Sequence, residues 1–281
     1  MKMFIAAFDG LEFSESTLQY AIFLAKWSRA QLVGVFLEDF TRRSYGFKEI
    51  AAYEGTDRDH FVRQMDARDS ALRKESVALF EKACKEEGVN YDVHRDRNVA
   101  LQELLEESIY ADLLIISAGE TMTGEEEPAP TRFIRDLLND VACPVILVPE
   151  SFQPLKKLVL LYDGELSSVN AVRSFRYLFD IPDDFATEVV TVKEQDESER
   201  LPHNRLIKEF IRRHYPQARY TILKGDAEDA IVRRLQSEHH KPLLILGAYR
   251  RSRLSRLFRP SMADQLLENL SMPLFIAPNK A

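Results

Sequence analysis

The chain has 281 residues, 45% of them hydrophobic and 30% charged, with a net charge of −7. That length accommodates two domains of ordinary size, and the balance is that of a folded globular chain, which excludes intrinsic disorder. No apolar run approaches the roughly 20 residues of a transmembrane helix, and the net acidity argues against a chain that grips nucleic acid.

Residues 4–8, FIAAF, read as a first strand that stops at Asp9–Gly10. The apolar stretch is too short, and too soon interrupted by Asp9, for a signal peptide. Residues 14–29 follow as a helix with Leu18, Ala21, Ile22 and Ala25 on one face and Ser14 or Ser16 as N-cap. A strand is expected at 32–36. Residues 41–65, with Tyr45, Gly46, Tyr53 and Gly55, read either as an excursion over the open end of the sheet, part loop and part helix, or as a variable surface loop. A long amphipathic helix at 58–87 is ended by Gly88. A weak strand at 91–94, a helix at 99–109, a strand at 113–116, a helix at 131–141 and a strand at Val145–Val148 complete the first half. Pro149 and Pro154 mark a polar linker over 149–157.

The second half repeats the plan. Strands are expected at 158–162, 188–192, 219–223, 243–246 and Leu274–Ala277, with helices at 167–179, 202–214, 227–238 and 261–269. Apolar run followed by Asp-Gly occurs in both halves, as FIAAFDG and LVLLYDG; LLIIS is echoed by LLILG, and CPVILVPE by MPLFIAPN. One fold built twice in tandem accounts for these matches in one order. The strands are near-continuous hydrophobics alternating with helices, the pattern of parallel sheets covered on both faces. The expected architecture is therefore α/β: two tandem domains, 1–150 and 155–281, each a five-stranded, mostly parallel sheet flanked by helices.

In such sheets ligands sit beyond the carboxyl ends of the strands, where the winding reverses. Asp9 and Asp163 occupy that edge. Each carboxylate is placed either to accept hydrogen bonds from a ribose or base, or to cap its own turn by Asx chemistry. The other informative stretch is GAYRRSRLSRLFRPS, from Gly247 to Ser261. A glycine closing a buried strand lets backbone approach a phosphate, and a hydroxyl at a helix N-terminus joins unpaired N–H groups that attract anions.

Together these features resemble the universal stress protein family. The strand–Asp opening, the glycine after the fourth strand, the loop ending in Ser261 and the terminal CPV-like strand carry the resemblance, which covers almost the whole chain twice over. The loop is similar to the family's nucleotide pattern G-x2-G-x9-G-(S/T). The resemblance implies flavodoxin-like domains of the adenine nucleotide alpha hydrolase-like type, a cytoplasmic stress-response binding module, and ATP or another adenine nucleotide as ligand in those members that keep the loop. It implies pairing through the last strands, Val145–Val148 and Leu274–Ala277, within the chain or between chains, which would also protect two sheet edges.

Where the pattern has glycines, the second half has Gly247, Arg250 and Pro260. Pro260 has no N–H to offer a phosphate, and Arg250 would need about 1 kcal/mol more than glycine for a positive φ. The arginines at 250, 251, 253, 256 and 259 either replace the lost donors or are simply solvated or paired with acidic surface. The first half reads SAGETMTGEEEPAPTR at this place, with Glu120 in the second glycine position and Glu125, Glu126 and Glu127 following. Each carboxylate about 4 Å from a phosphate oxygen costs roughly 1–4 kcal/mol, so a polyphosphate is expected in the second half alone. Asp163, Gly247, Arg250, Arg251, Ser252 and Ser261, with Asp9 as the first-half counterpart of Asp163, are the candidate nucleotide contacts. The charged loops of the two halves are opposite in sign, and their meeting is a further possibility.

Catalysis is not expected. No phosphate loop of the G-x4-GK(S/T) type, no G-x-S-x-G elbow and no Cys/His spacing for a metal occurs. Cys84 and Cys143 form no disulfide framework, consistent with a reducing compartment, and His239–His240 read as dipole partners at a helix end. The alternative to a nucleotide-binding module is a protein–protein scaffold with both sites lost.

Overall fold

The computed structural model describes residues 1–37, 43–45, 50, 53, 57–96, 99–182, 185–193, 200–238, 240–247 and 262–278. In the first half β1 (Met3–Asp9), α1 (Glu15–Ser28) and β2 (Gln31–Leu37) lead to α2 (Arg58–Glu86), β3 (Tyr91–Asp96) and α3 (Ala100–Tyr110), then β4 (Leu113–Ser117), α4 (Arg132–Asp140) and β5 (Val145–Val148). The second half runs β6 (Lys157–Leu161), α5 (Leu166–Leu178), β7 (Ala186–Lys193), α6 (Asn204–His214), β8 (Arg219–Lys224), α7 (Ala227–Gln236), β9 (Leu243–Gly247), α8 (Met262–Asn269) and β10 (Leu274–Ala277).

Among the described residues the ten strands join one sheet in the order β3-β2-β1-β4-β5-β10-β9-β6-β7-β8. Each half is parallel and wound identically, third strand outermost. They meet where β5 and β10 pair antiparallel, Val145 opposite Ile276 and Leu147 opposite Leu274. The two last strands thus pair inside the chain, and the two five-stranded sheets become one ten-stranded sheet with a pseudo-twofold at its centre.

Alternation along the strands feeds two apolar layers. Phe4, Ala6 and Phe8 of β1 face α1 and α2, while Ile5 and Ala7 face α3 and α4. The equivalent residues of β6, Leu158 and Leu160 against Val159 and Leu161, face α5 and α6 on one side and α7 and α8 on the other. Each layer runs unbroken through both halves. Phe4 packs on Phe179 at 5.6 Å, and Trp27 on both Phe179 and Phe185 at 4.9 Å. A fully buried Phe contributes about 1.5–3 kcal/mol, so these contacts fasten the halves as firmly as the short β5–β10 ladder does. Polar ties reinforce them. Trp27 Nε1 donates to the Asp180 carbonyl at 2.7 Å, and Ser28 Oγ to the Leu178 carbonyl at 2.5 Å.

Local chemistry sets the element ends. Ser14 caps α1 by accepting from Thr17 N at 3.2 Å, and Asp226 caps α7 by accepting from Glu228 N and Asp229 N. Gly88 follows α2 with φ +66°, the left-handed turn expected of it. α6 begins at Asn204, two residues later than expected, because Pro202 packs on the β6–α5 turn instead. α7 ends at Gln236, so His240 lies past the helix and not in its last turn, while His239 lies outside the described residues. Of the 41–65 segment, the described parts pack on α2: Ser44 and Tyr45 donate to Asp69 and Asp66, and Tyr53 stacks on Phe61 at 4.6 Å. Both cysteines are buried and free, their thiols pushed up to about 12 by burial.

Candidate functional site

Two corners lie beyond the carboxyl edge of the sheet, where winding reverses: between β1 and β4, and between β6 and β9. The duplication makes them equivalent, yet they are built differently.

In the second half, β6 pairs with β9 in register Leu158 to Leu243 and Leu160 to Ile245, which brings Asp163 and Gly247 to one edge. Asp163 is exposed. Its Oδ1 accepts from Glu165 N at 2.9 Å, an Asx turn, and from Ser168 Oγ at 2.7 Å. Oδ2 accepts no hydrogen bond from the described residues. Gly164 turns the chain at φ +93°, and a Cβ there would stand 2.6 Å from Pro202 Cβ. The Tyr162 hydroxyl donates to the Pro202 carbonyl at 3.0 Å, holding residues 201–203 over this turn. A Cβ on Gly247 would stand 2.5 Å from the Ser167 carbonyl carbon and 2.6 Å from Ser168 N. The first turn of α5 therefore already fills the space that glycine leaves, and packing alone requires a glycine at 247. Ser168 touches both candidates. It was not expected from the sequence, where it reads as one more helix-start serine.

In the first half Asp9 is 2% exposed, its Oδ1 accepting from Leu11 N at 2.8 Å in the same Asx role. The difference comes from above. Ser76 Oγ of α2 donates to the Gly10 carbonyl at 3.0 Å, and the Arg73 side chain lies against Gly10. The acidic loop adds a second cover. Glu120 folds inward and accepts from Thr121 N and Met122 N, both at 3.0 Å, through Oε1. Burial first, then the charges of Asp9 and Glu12, push its carboxyl up to about 7. Thr131, the N-cap of α4, donates to the Glu120 carbonyl and ties the loop shut. The first-half corner is closed and lined by carboxylates, which disfavours a polyphosphate.

Arg250, Arg251, Ser252 and Ser261 lie outside the described residues, as does the possible meeting of the two charged loops. Among the described residues no group of three or more His, Cys, Asp and Glu could hold a metal, and no helix is long and apolar enough to cross a membrane. A charged cluster that the sequence reading missed lies at the opposite edge. Glu188, 8% exposed on β7, meets Lys157 at 2.8 Å, Arg234 at 3.0 Å and the Thr221 hydroxyl at 2.6 Å. Burial opposes its ionisation, but Lys157, Thr221 and Arg234 outweigh it and hold the carboxyl below the usual range. The one signal was a glutamate at the start of the expected strand 188–192.

Comparison with known proteins agrees with this architecture. The chain is 21% identical over 289 aligned positions to the universal stress protein Slr1230 of Synechocystis, covering 98% of this chain and 99% of the other. Its fold superposes on a universal stress protein from Archaeoglobus fulgidus with a TM-score of 0.64 at 13% identity, covering 99% and 98% of the two chains. A putative universal stress protein from Pseudomonas aeruginosa gives a TM-score of 0.60 at 15% identity, covering 99% and 93%. This is the fold of the tandem universal stress proteins. The chain matches these structures in fold over nearly its whole length. No family model matches the sequence.

Proposed function

We propose that the protein is a non-catalytic, stress-responsive binding module of the universal stress protein type, which takes an adenine nucleotide of the ATP class weakly in its second half. One observation carries this reading. Of two aspartates that began as copies, Asp163 is exposed beside β9 with a carboxylate oxygen to spare, whereas Asp9 is sealed beneath α2 beside Glu120. Asp163 Oδ2 would accept from a ribose hydroxyl while Oδ1 keeps the turn. The basic loop that follows Gly247, with Arg250, Arg251, Ser252 and Ser261, would meet phosphate. Weak binding follows from Pro260 and Arg250, which remove donors and room from the loop. A cytoplasmic setting belongs to the same proposal.

A second reading, a scaffold that binds no nucleotide, is favoured by Gly247, whose lack of a side chain is fully explained by the approach of α5. Thermal-shift titration separates the two. On the first reading, ATP or AMP at millimolar concentration raises the melting temperature, and Asp163→Ala abolishes the shift. On the second, neither nucleotide moves it. Steady phosphate release from ATP, lost in Asp163→Asn, would overturn the non-catalytic assignment.

A further inference from the structure

A groove of about 630 Å³ runs along the outer face of α1 on the helix-covered surface. Its floor is aromatic and comes from both halves: Phe23 and Trp27 from α1, Phe152 from the linker and Phe185 from the approach to β7. Phe23 lies 6.0 Å from both Trp27 and Phe152, and Trp27 lies 4.9 Å from Phe185. The bond from Trp27 Nε1 to the Asp180 carbonyl fixes the indole in place. The rim is acidic. Glu15, Glu86 and Glu87 line it with Lys26, which is paired with Glu87 at 2.7 Å, while Lys82 just outside the groove reaches Glu86 at 3.9 Å and leaves Glu15 in excess. The volume falls in the range of small-molecule sites, and preformed aromatic walls bind apolar ligands without reorganising. Aromatic faces also attract cations, most strongly those too poorly hydrated to prefer water. The rim repels anions by the same charge that draws a cation in.

We propose that this groove is a binding site for a small lipophilic organic cation, one with an apolar or aromatic body and a delocalised or quaternary positive charge. None of its residues belongs to the corner at Asp163, so the site stands or falls independently of the nucleotide reading. The body would lie on Phe23, Trp27 and Phe152, and the charge would face Glu15 and Glu86.

Tetraphenylphosphonium and tetraphenylborate have nearly the same shape and opposite charge, and Trp27 is the single tryptophan of the chain. Titrating the full chain with each ion while following tryptophan fluorescence tests the proposal. The expected result is a saturable change with the phosphonium ion and binding of the borate about tenfold weaker at low salt, the gap narrowing as salt screens the rim. Glu15→Gln with Glu86→Gln, both at the surface, should bring the two affinities within about threefold of each other without altering the unfolding midpoint. Phe23→Ala should weaken the phosphonium ion about tenfold. Equal affinity for the two ions in the unmodified chain would overturn the proposal. So would tighter borate binding, the absence of any saturable change, or concentration-dependent dimerisation that buries Trp27 without added ligand.

Discussion

Glu120→Gln isolates the charge that closes the first-half corner. Glutamine keeps Oε1, so the bonds from Thr121 N and Met122 N, each 3.0 Å, survive the substitution. What changes is that the side chain can no longer ionise beside Asp9 and Glu12. Burial and those charges raise the carboxyl from its ordinary 4.5 to about 7 in the folded chain. A raised carboxyl binds its proton more tightly when folded, so its contribution to stability is greatest below pH 4.5 and is lost as pH rises through about 7. At about 1.4 kcal/mol per pH unit the full loss is at most about 3 kcal/mol, and side-chain relaxation brings it to about 1–3 kcal/mol. The variant should therefore be more stable than the natural chain by about 1–3 kcal/mol at pH 8, and by only about 0.5 kcal/mol at pH 4.5. Urea unfolding of both proteins at the two pH values measures this difference directly. A gain that is the same at both pH values, or a loss at pH 8, would refute the assignment of Glu120 as a destabilising buried charge.

Other outcomes follow from the same geometry. Gly247→Ala should cost about 1–3 kcal/mol in urea unfolding, because the new methyl meets α5 backbone and cannot be relieved by a rotamer change; an unchanged midpoint would mean that α5 yields. Glu188→Gln leaves Glu238 as the remaining carboxylate partner of Lys157 and Arg234 and should cost about 1–2 kcal/mol at pH 7. Because the Glu188 carboxyl is held low in the folded chain, its stabilisation is present above the unfolded value and disappears as pH falls through the folded one, so the variant and the natural chain should converge in acid. Phe275→Ala empties a fully buried site on β10 against Phe175 and should cost about 3–5 kcal/mol, with both halves melting together in calorimetry because the two apolar layers are shared.

Much of this fold is legible in the sequence because its strands are covered on both faces and so read as uninterrupted apolar runs. Residues 145–148 and 274–277 were placed to the residue. Where strands extend further, as β7 does from Ala186 to Lys193, the added Ala186, Thr187 and Lys193 carry no long apolar side chain and are recruited by the ladders to β6 and β8. The site was less legible. Asp9 and Asp163 sit in the same local sequence, and nothing near them in the chain says that one is sealed and the other open. That is decided by Arg73 and Ser76, more than 60 residues from Asp9, on a helix whose amphipathic pattern shows only that it packs. Glu120 resisted reading for a related reason. A loop of carboxylates ordinarily faces water, and only the backbone N–H groups of residues 121 and 122 turn this one inward. Gly247 was read through phosphate chemistry, whereas the neighbour that demands it is the start of α5.

Equilibrium dialysis of the full chain against ATP bears most directly on the difference between the two corners. About one nucleotide should bind per chain with a dissociation constant near the millimolar range. Asp163→Ala should weaken it about tenfold, the worth of one hydrogen bond to a charged group, while Asp9→Ala should leave it within twofold. Absence of binding at several millimolar ATP, or sensitivity to Asp9 and not to Asp163, would contradict a nucleotide site in the second half.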